Sequence, residues 1–343
     1  MSDVSALNGA RPLVQVRGLV KHYRVGSIIL PRILQAVDGV DFDIARGETL
    51  GLVGESGCGK STVARCLVRL VDATGGSVLF DDEPVLELGR GAVQRLRRRM
   101  QIVFQDPRGS LNPRMLIRTT LSEPLRLHMH LGGAKLEERL RELMAQVGLE
   151  VTHLDRYPHQ LSGGQCQRVG IARAISTNPD FVVLDEPTSS LDVSVQNQIL
   201  VLLRELQTEL GLSYLFISHN LSVVRQMCTR IAVMYLGRIV EVGSTEEIFA
   251  DPSHPYTRAL LSTVPSAVFG AKRERVRLPG EVPSPIDIPT GCRLHPRCPL
   301  ARDVCAVQDP ELIPLRGTHH VACFAATGWP AESTAVAEGK KES

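Results

Sequence analysis

No run of apolar residues in this 343-residue chain approaches the roughly 20 that a membrane-crossing helix needs; the longest, such as Ile199 to Leu203, fall far short. The opening residues, Met1-Ser2-Asp3-Val4, lack the basic region and apolar core of a secretory signal. We therefore expect a soluble chain, for which any membrane role would come through a partner. Aromatics are scarce, with 1 Trp, 5 Tyr and 8 Phe, so the core must be built from Leu, Val, Ile and Ala. Net charge is nearly absent as well. Lys plus Arg number 39 against 37 Asp plus Glu, which excludes the broad basic footprint of a nucleic-acid binder. The one local exception, Arg95, Arg97, Arg98 and Arg99, reads as a solvated helix face. Four of the eight cysteines (Cys58, Cys66, Cys166, Cys228) are scattered through segments of core character, and without a secretory signal a disulfide framework is not expected.

What is present fits one full α/β domain plus an appendage. Residues 13–24 and 36–44 alternate apolar and polar positions, as strands do. Thr49 to Val53 is a short buried strand leading into a glycine-rich turn and a helix from about Lys60. Much of the stretch from Ser110 to Ala174 has helical periodicity, with Leu136, Leu140, Leu143, Met144 and Val147 on one face. Strands resume at 181–185 and 214–218, flanking a helix that carries Ile199, Leu203, Leu206 and Leu210, and a hairpin turns at Gly237-Arg238. Beyond Asp251 the texture becomes irregular and proline-rich. The last stretch, 331–343, is small and polar and is expected to be disordered.

The turn Gly54-Glu55-Ser56-Gly57-Cys58-Gly59-Lys60-Ser61 fits G-x-x-x-x-G-K-[ST] in its required setting, after a buried strand and before a helix. Its glycines let successive backbone N–H groups turn inward around phosphates, and the helix that follows aims its positive end at them. Lys60 reaches the terminal phosphates and the Ser61 hydroxyl can ligate Mg²⁺. Phe181 to Leu184 is an apolar run ending in Asp185 and Glu186. Phosphoryl transfer is catalysed mostly by positioning and charge neutralisation, so one carboxylate for the metal (Asp185) and one for the attacking water (Glu186) is a sensible division. His219 follows the strand 214–218 and so stands at a carboxyl end, the edge where open α/β sheets bind nucleotides.

These residues share their order with other elements of a known family. Leu161-Ser162-Gly163-Gly164-Gln165 resembles the signature of ABC ATPases, and Gln105 resembles the glutamine of their Q-loop. Ser190-Leu191-Asp192 resembles the D-loop, His219 the switch histidine, and Tyr23 the aromatic that stacks on adenine. Over about residues 13–243 the resemblance implies a P-loop ABC fold: an antiparallel β subdomain, a mixed central sheet and an α-helical signature subdomain at about 106–174, within a nucleotide-binding domain of 13–250. It implies ATP and Mg²⁺ as ligands. Tyr23, Gly54, Glu55, Ser56, Gly57, Cys58, Gly59, Lys60, Ser61 and Thr62 would hold the nucleotide, Ser61, Gln105 and Asp185 the metal, and Lys60, Gln105, Glu186 and His219 would serve hydrolysis. Ser162, Gly163, Gly164, Gln165 and Asp192 would complete the pocket of a second ATPase domain paired head to tail. Three positions depart from the common pattern: Cys166 where arginine is usual, Ser190 where alanine is common, and Asn220 where aspartate is frequent. None removes a group that contacts phosphate or metal.

A narrower resemblance extends over nearly the whole chain. Phe104-Gln105-Asp106-Pro107-Arg108-Gly109-Ser110-Leu111-Asn112-Pro113-Arg114 and His254-Pro255-Tyr256-Thr257 are similar to segments of dipeptide and oligopeptide importer ATPases, closest in pattern to the second (F-type) of their two ATPases. This implies a paralogous ATPase partner, two permease subunits, an external peptide-binding protein and a place on the cytoplasmic face of the membrane. In the extension, 251–330, Cys292, Cys298, Cys305 and Cys323 are spaced C-x5-C-x6-C-x17-C. Four thiols in a segment that buries little core suggest a metal site. Zinc sites usually show paired C-x2–4-C knuckles, absent here, while iron–sulfur clusters tolerate looser spacing, with His295, His319 and His320 as possible substitute ligands. The resemblance implies a 4Fe–4S cluster. Other readings are an importer for nickel or another small solute, a soluble ABC ATPase acting on nucleic acid or ribosomes, and a redox-sensing ATPase.

Overall fold

The computed structural model describes residues 11–27, 31–263 and 276–330; the tail 331–343 lies outside them. Strands β1 (Val14–Gly26) and β2 (Pro31–Ile44) form an antiparallel ribbon longer at its Gly26–Pro31 end than the alternation suggests. The fully buried β3 (Thr49–Val53) leads to α1 (Lys60–Leu67), then β4 (Gly75–Phe80) and the two-residue β5 (Glu83–Pro84) return beside β1. The small sheet has the order β2-β1-β4-β5, all antiparallel. Its inner face, with Val14, Val16, Val40 and Phe42, shares one apolar cluster with Val63 and Leu67 of α1. This packing fixes the helix that follows the phosphate loop.

Next come α2 (Arg90–Arg99) and β6 (Met100–Val103). Arg95, Arg97 and Arg98 are exposed as expected, whereas Arg99 pairs with Asp81 and Asp180 at 2.7 and 2.6 Å. A helical arm follows: α3 (Ile117–Met129), α4 (Gly133–Gln146) and α5 (Gly163–Ile175). Leu121, Leu125, Leu140 and Leu143 pack with Val169 of α5, so the period-3.6 pattern buries one face of each helix. The chain returns through β7 (Phe181–Asp185), α6 (Val193–Leu210), β8 (Ser213–Ser218), α7 (Leu221–Met227), β9 (Arg230–Tyr235) and β10 (Arg238–Ser244). Strands β3, β6, β7, β8 and β9 are parallel. Their apolar runs are buried on both sides, the expected consequence of helices on both faces.

After α8 (Thr245–Ala250) and α9 (Pro255–Ser262) the extension holds little regular structure, as its prolines lead one to expect. Two of its strands were not foreseen: β11 (Ile313–Arg316) and β12 (His319–Val321) join β10 and widen the central sheet to the order β11-β12-β10-β9-β3-β8-β7-β6. A buried pair fastens the junction. His319 Nε2 donates to Glu241 Oε1 at 2.6 Å, and Glu241 also accepts from the Ser253 and His254 N–H groups. No helix among the described residues is long and apolar enough to cross a membrane.

Candidate active site

The carboxyl ends of β3, β8 and β7 lie side by side, because β8 is the parallel neighbour of both others. The loops leaving them therefore meet at one edge. From β3 comes the turn 54–59, whose backbone takes positive φ at Gly57 (81°) and Gly59 (110°). A Cβ on Gly59 would collide with the Ala36 carbonyl of β2, so only glycine fits beneath the small sheet. The buried Lys60 donates to the carbonyls of Gly54 and Glu55 at 2.8 and 2.9 Å, which centres its ammonium in the loop.

From β7 comes Asp185, which accepts from Ser61 Oγ at 2.9 Å. Burial raises the Asp185 pKa against the opposing pull of that hydrogen bond. A hydroxyl and a buried carboxylate meeting at one point are the hard oxygen donors that a divalent cation prefers, so the pair fits Mg²⁺. Glu186 follows with φ at 48°, a left-handed conformation costly for a residue with a Cβ, and such strain concentrates at working sites. Its Oε2 accepts from Gln105 Nε2 at 2.8 Å and lies 3.2 Å from His219 Nδ1 at the end of β8. Lys60, Ser61, Gln105, Glu186 and His219, with Tyr23, line one open cleft of about 1020 Å³, and Asp185 is joined to it through Ser61.

The signature residues and Asp192 do not line this cleft. Ser162 instead begins α5, its Oγ accepting from Gln165 N–H at 3.2 Å while Gln165 Oε1 accepts from Ser162 N–H at 2.9 Å. This capping box leaves the serine O–H proton and the first N–H groups of the helix unspent. Asp192 likewise begins α6, accepting from Val195 N–H. Two of the three departures from the family pattern have local explanations, and the third, Ser190, lines the cleft. Cys166 is fully buried and donates to the Pro158 carbonyl, and Asn220 begins α7 by accepting from Ser222 N–H. Cys58, the cysteine inside the phosphate loop, is buried, and burial raises its pKa, so it sits there as a neutral filler.

Three residues of the site escaped sequence reasoning. Pro285 lines the cleft beside Tyr23 and Leu34, held there by Gln35 N–H donating to its carbonyl at 3.0 Å. The Tyr256 hydroxyl accepts from Glu55 N–H at 2.7 Å, and Arg297 reaches the Glu55 carboxylate. All three come from beyond residue 250, and no spacing signal connects them to the phosphate loop.

In the extension, Cys292, Cys298, Cys305 and Cys323 are unpaired and line one small cavity with His254, Leu294 and Trp329. Burial raises the pKa of the Cys298 and Cys323 thiols. Burial, then crowding by the other thiols, pushes Cys292 up to about 11. Among the described residues, no group of three or more His, Cys, Asp or Glu side chains forms a site that could hold a metal ion. His319, a candidate substitute ligand, is instead committed to Glu241.

Residues 37–189 match the family model described as ABC transporter, and residues 240–305 match that described as oligopeptide/dipeptide transporter, C-terminal region. A Brucella ovis protein named for peptide import and ATP binding is 50% identical over 91% of this chain and 98% of its own. The dipeptide transport ATP-binding protein DppF of Escherichia coli is 47% identical, covering 92% of this chain and 95% of its own. Among solved structures, the ATP-binding cassette MJ0796, in a dimeric post-hydrolysis state bound to ADP and Pi, superposes with a TM-score of 0.61 at 29% identity over 68% of this chain and 98% of its own.

Proposed function

The chain belongs to the ABC transporter ATP-binding family, in the branch with the oligopeptide/dipeptide C-terminal region, and on that premise we propose that it powers an importer of dipeptides or oligopeptides. The observation that carries the hydrolytic part is the convergence of Gln105 and His219 on one oxygen of Glu186, in the cleft that Lys60 and Ser61 also line, with Asp185 hydrogen-bonded to Ser61.

Each group then has a task that its surroundings suit. The loop N–H groups and Lys60 hold the β- and γ-phosphates of ATP, and Tyr23 stacks on the adenine. Ser61, Asp185 and Gln105 hold Mg²⁺, which supplies charge neutralisation when bound. Glu186, oriented by its two neighbours, polarises the attacking water. His219 has its other ring nitrogen available to orient the water or meet the γ-phosphate. Ser162 to Gln165 and Asp192 lie on another surface of the chain, which supports the reading that they complete the pocket of a second, paralogous ATPase. ATP then joins the two and its hydrolysis releases them, so a ligand with different affinities for two states drives the cycle. We read 13–250 as the motor unit with its helical arm at about 106–174, docked on two permease subunits at the cytoplasmic face and served by an external binding protein.

For the four cysteines we propose a 4Fe–4S cluster. Two buried and two half-buried thiols around one cavity are mutually repulsive once ionised, and a cationic iron–sulfide core would reverse that cost. That they line one cavity supports reading them as a single ligand set.

The cargo is tested by uptake of labelled dipeptide, oligopeptide and nickel in cells carrying or lacking this chain. Loss of peptide uptake alone supports the proposal; loss of nickel uptake alone overturns it.

A further inference from the structure

Glu55 is the first residue after the opening glycine of the phosphate loop, and it is held on three sides. Its carbonyl accepts from Lys60 Nζ at 2.9 Å. Its N–H donates to the Tyr256 hydroxyl at 2.7 Å, and the Tyr256 ring lies against Tyr235 with centroids 4.7 Å apart. Its carboxylate takes the Arg297 guanidinium, with Nη1 3.3 Å from Oε2. Only the first of these contacts comes from the loop itself. Arg297 crosses 242 positions of sequence to make the last.

Arg297 is built for that reach. Its side chain is 9% exposed, an expensive position for a guanidinium unless it is paired and hydrogen-bonded. Nη1 also donates to the Tyr235 hydroxyl at 3.4 Å, and Nε donates to the Pro279 carbonyl at 3.4 Å. The planar fork is thus fixed in direction before it meets Glu55. The next residue is Cys298, one of the four clustered thiols, so the turn that carries the cysteines also carries this arm.

Electrostatics give the contact a purpose. A carboxylate beside the loop opposes the binding of a tetra-anionic nucleotide, and its effect falls off slowly in a partly buried site. Arg297 draws that charge to the side away from the cleft and offsets it. Arg297 itself does not line the cleft. It therefore acts through Glu55 on the loop's shape and potential, and not by touching phosphate.

We propose that Arg297 is a positioning residue for nucleotide binding, by which the C-terminal extension sets the phosphate loop of the same chain. The inference rests on reading residues 54–61 as that loop. The test is a double-mutant cycle in the full chain, read by titration with a fluorescent ATP analogue without hydrolysis. Arg297→Ala is expected to weaken affinity by about threefold to tenfold, a range discounted for the partial exposure of Glu55. In a Glu55→Ala background the same change is expected to shift affinity less than about twofold, because the group it acts through is gone. Arg297→Lys, which keeps the charge, is expected to recover most of the loss. Arg297→Gln enters the same cycle if the alanine variant does not fold. Equal losses in both backgrounds, or native affinity in Arg297→Ala, would overturn the proposal. Failure of the unaltered chain to bind the analogue at all would instead overturn the reading of the loop.

Discussion

Gln105 Nε2 and Glu186 Oε2 stand 2.8 Å apart, although 81 residues of chain, including the whole helical arm, separate them. Gln105 lies between β6 and the arm, and Glu186 follows β7, the parallel neighbour of β6. On the role proposed for Glu186, a displacement of the arm would therefore act on the group that polarises water. In this geometry, coupling between a partner that presses on the arm and hydrolysis needs no longer relay than one hydrogen bond.

Glu186→Gln keeps the shape and removes the charge. We expect it to bind ATP with nearly native affinity and to lose about 100-fold or more of its turnover, the scale of a missing general base. Phosphate release and equilibrium binding on the same preparation check this; comparable losses in both would assign Glu186 a binding role instead.

The Glu241–His319 pair makes a prediction about pH. Burial works against the Glu241 carboxylate, but His319 and the N–H groups of Ser253 and His254 outweigh it, and the net effect is a lowered pKa. A carboxyl depressed in the folded state stabilises above its ordinary value, and the contribution fades as pH falls through the depressed one. At neutral pH, Glu241→Ala should cost about 3–5 kcal/mol, the usual penalty for stranding one partner of a buried pair. The gap to the unaltered chain should narrow in acid. Urea unfolding at pH 7 and near pH 4 measures both, and a gap that is constant with pH would contradict the assignment.

Iron and acid-labile sulfide should accompany the protein prepared without oxygen, with absorbance near about 400 nm and about four irons per chain. Cys305→Ser, which alters the best-buried of the four thiols, should lower both together. Stoichiometric zinc in place of iron would remove the cluster from the account.

Much of the motor was legible in the sequence because its signals are local. The strand 49–53, its glycine turn and the helix from Lys60 follow one another directly, and each constrains the next. The run 181–184 ending in Asp185-Glu186 could only be a strand buried on both faces. The extension gave no such pattern. Ile313 to Arg316 holds a proline and alternates weakly, and it becomes a strand only because β12 and β10 offer an edge to pair with. Arg297, Tyr256 and Pro285 were invisible for the same reason: their roles arise from contacts across some 200 residues or more, which periodicity does not encode. Nor does sequence spacing say that four cysteines will share a cavity.

The central claim is that this chain holds half of each nucleotide pocket and works only when a second half closes on it. The most direct measurement is ATP turnover by the complex isolated from membranes, with Ser162→Arg on this chain alone. The account predicts that ATP still binds the chain's own loop while turnover in the pocket completed by Ser162 is lost. Turnover at the rate of the unaltered complex would contradict it.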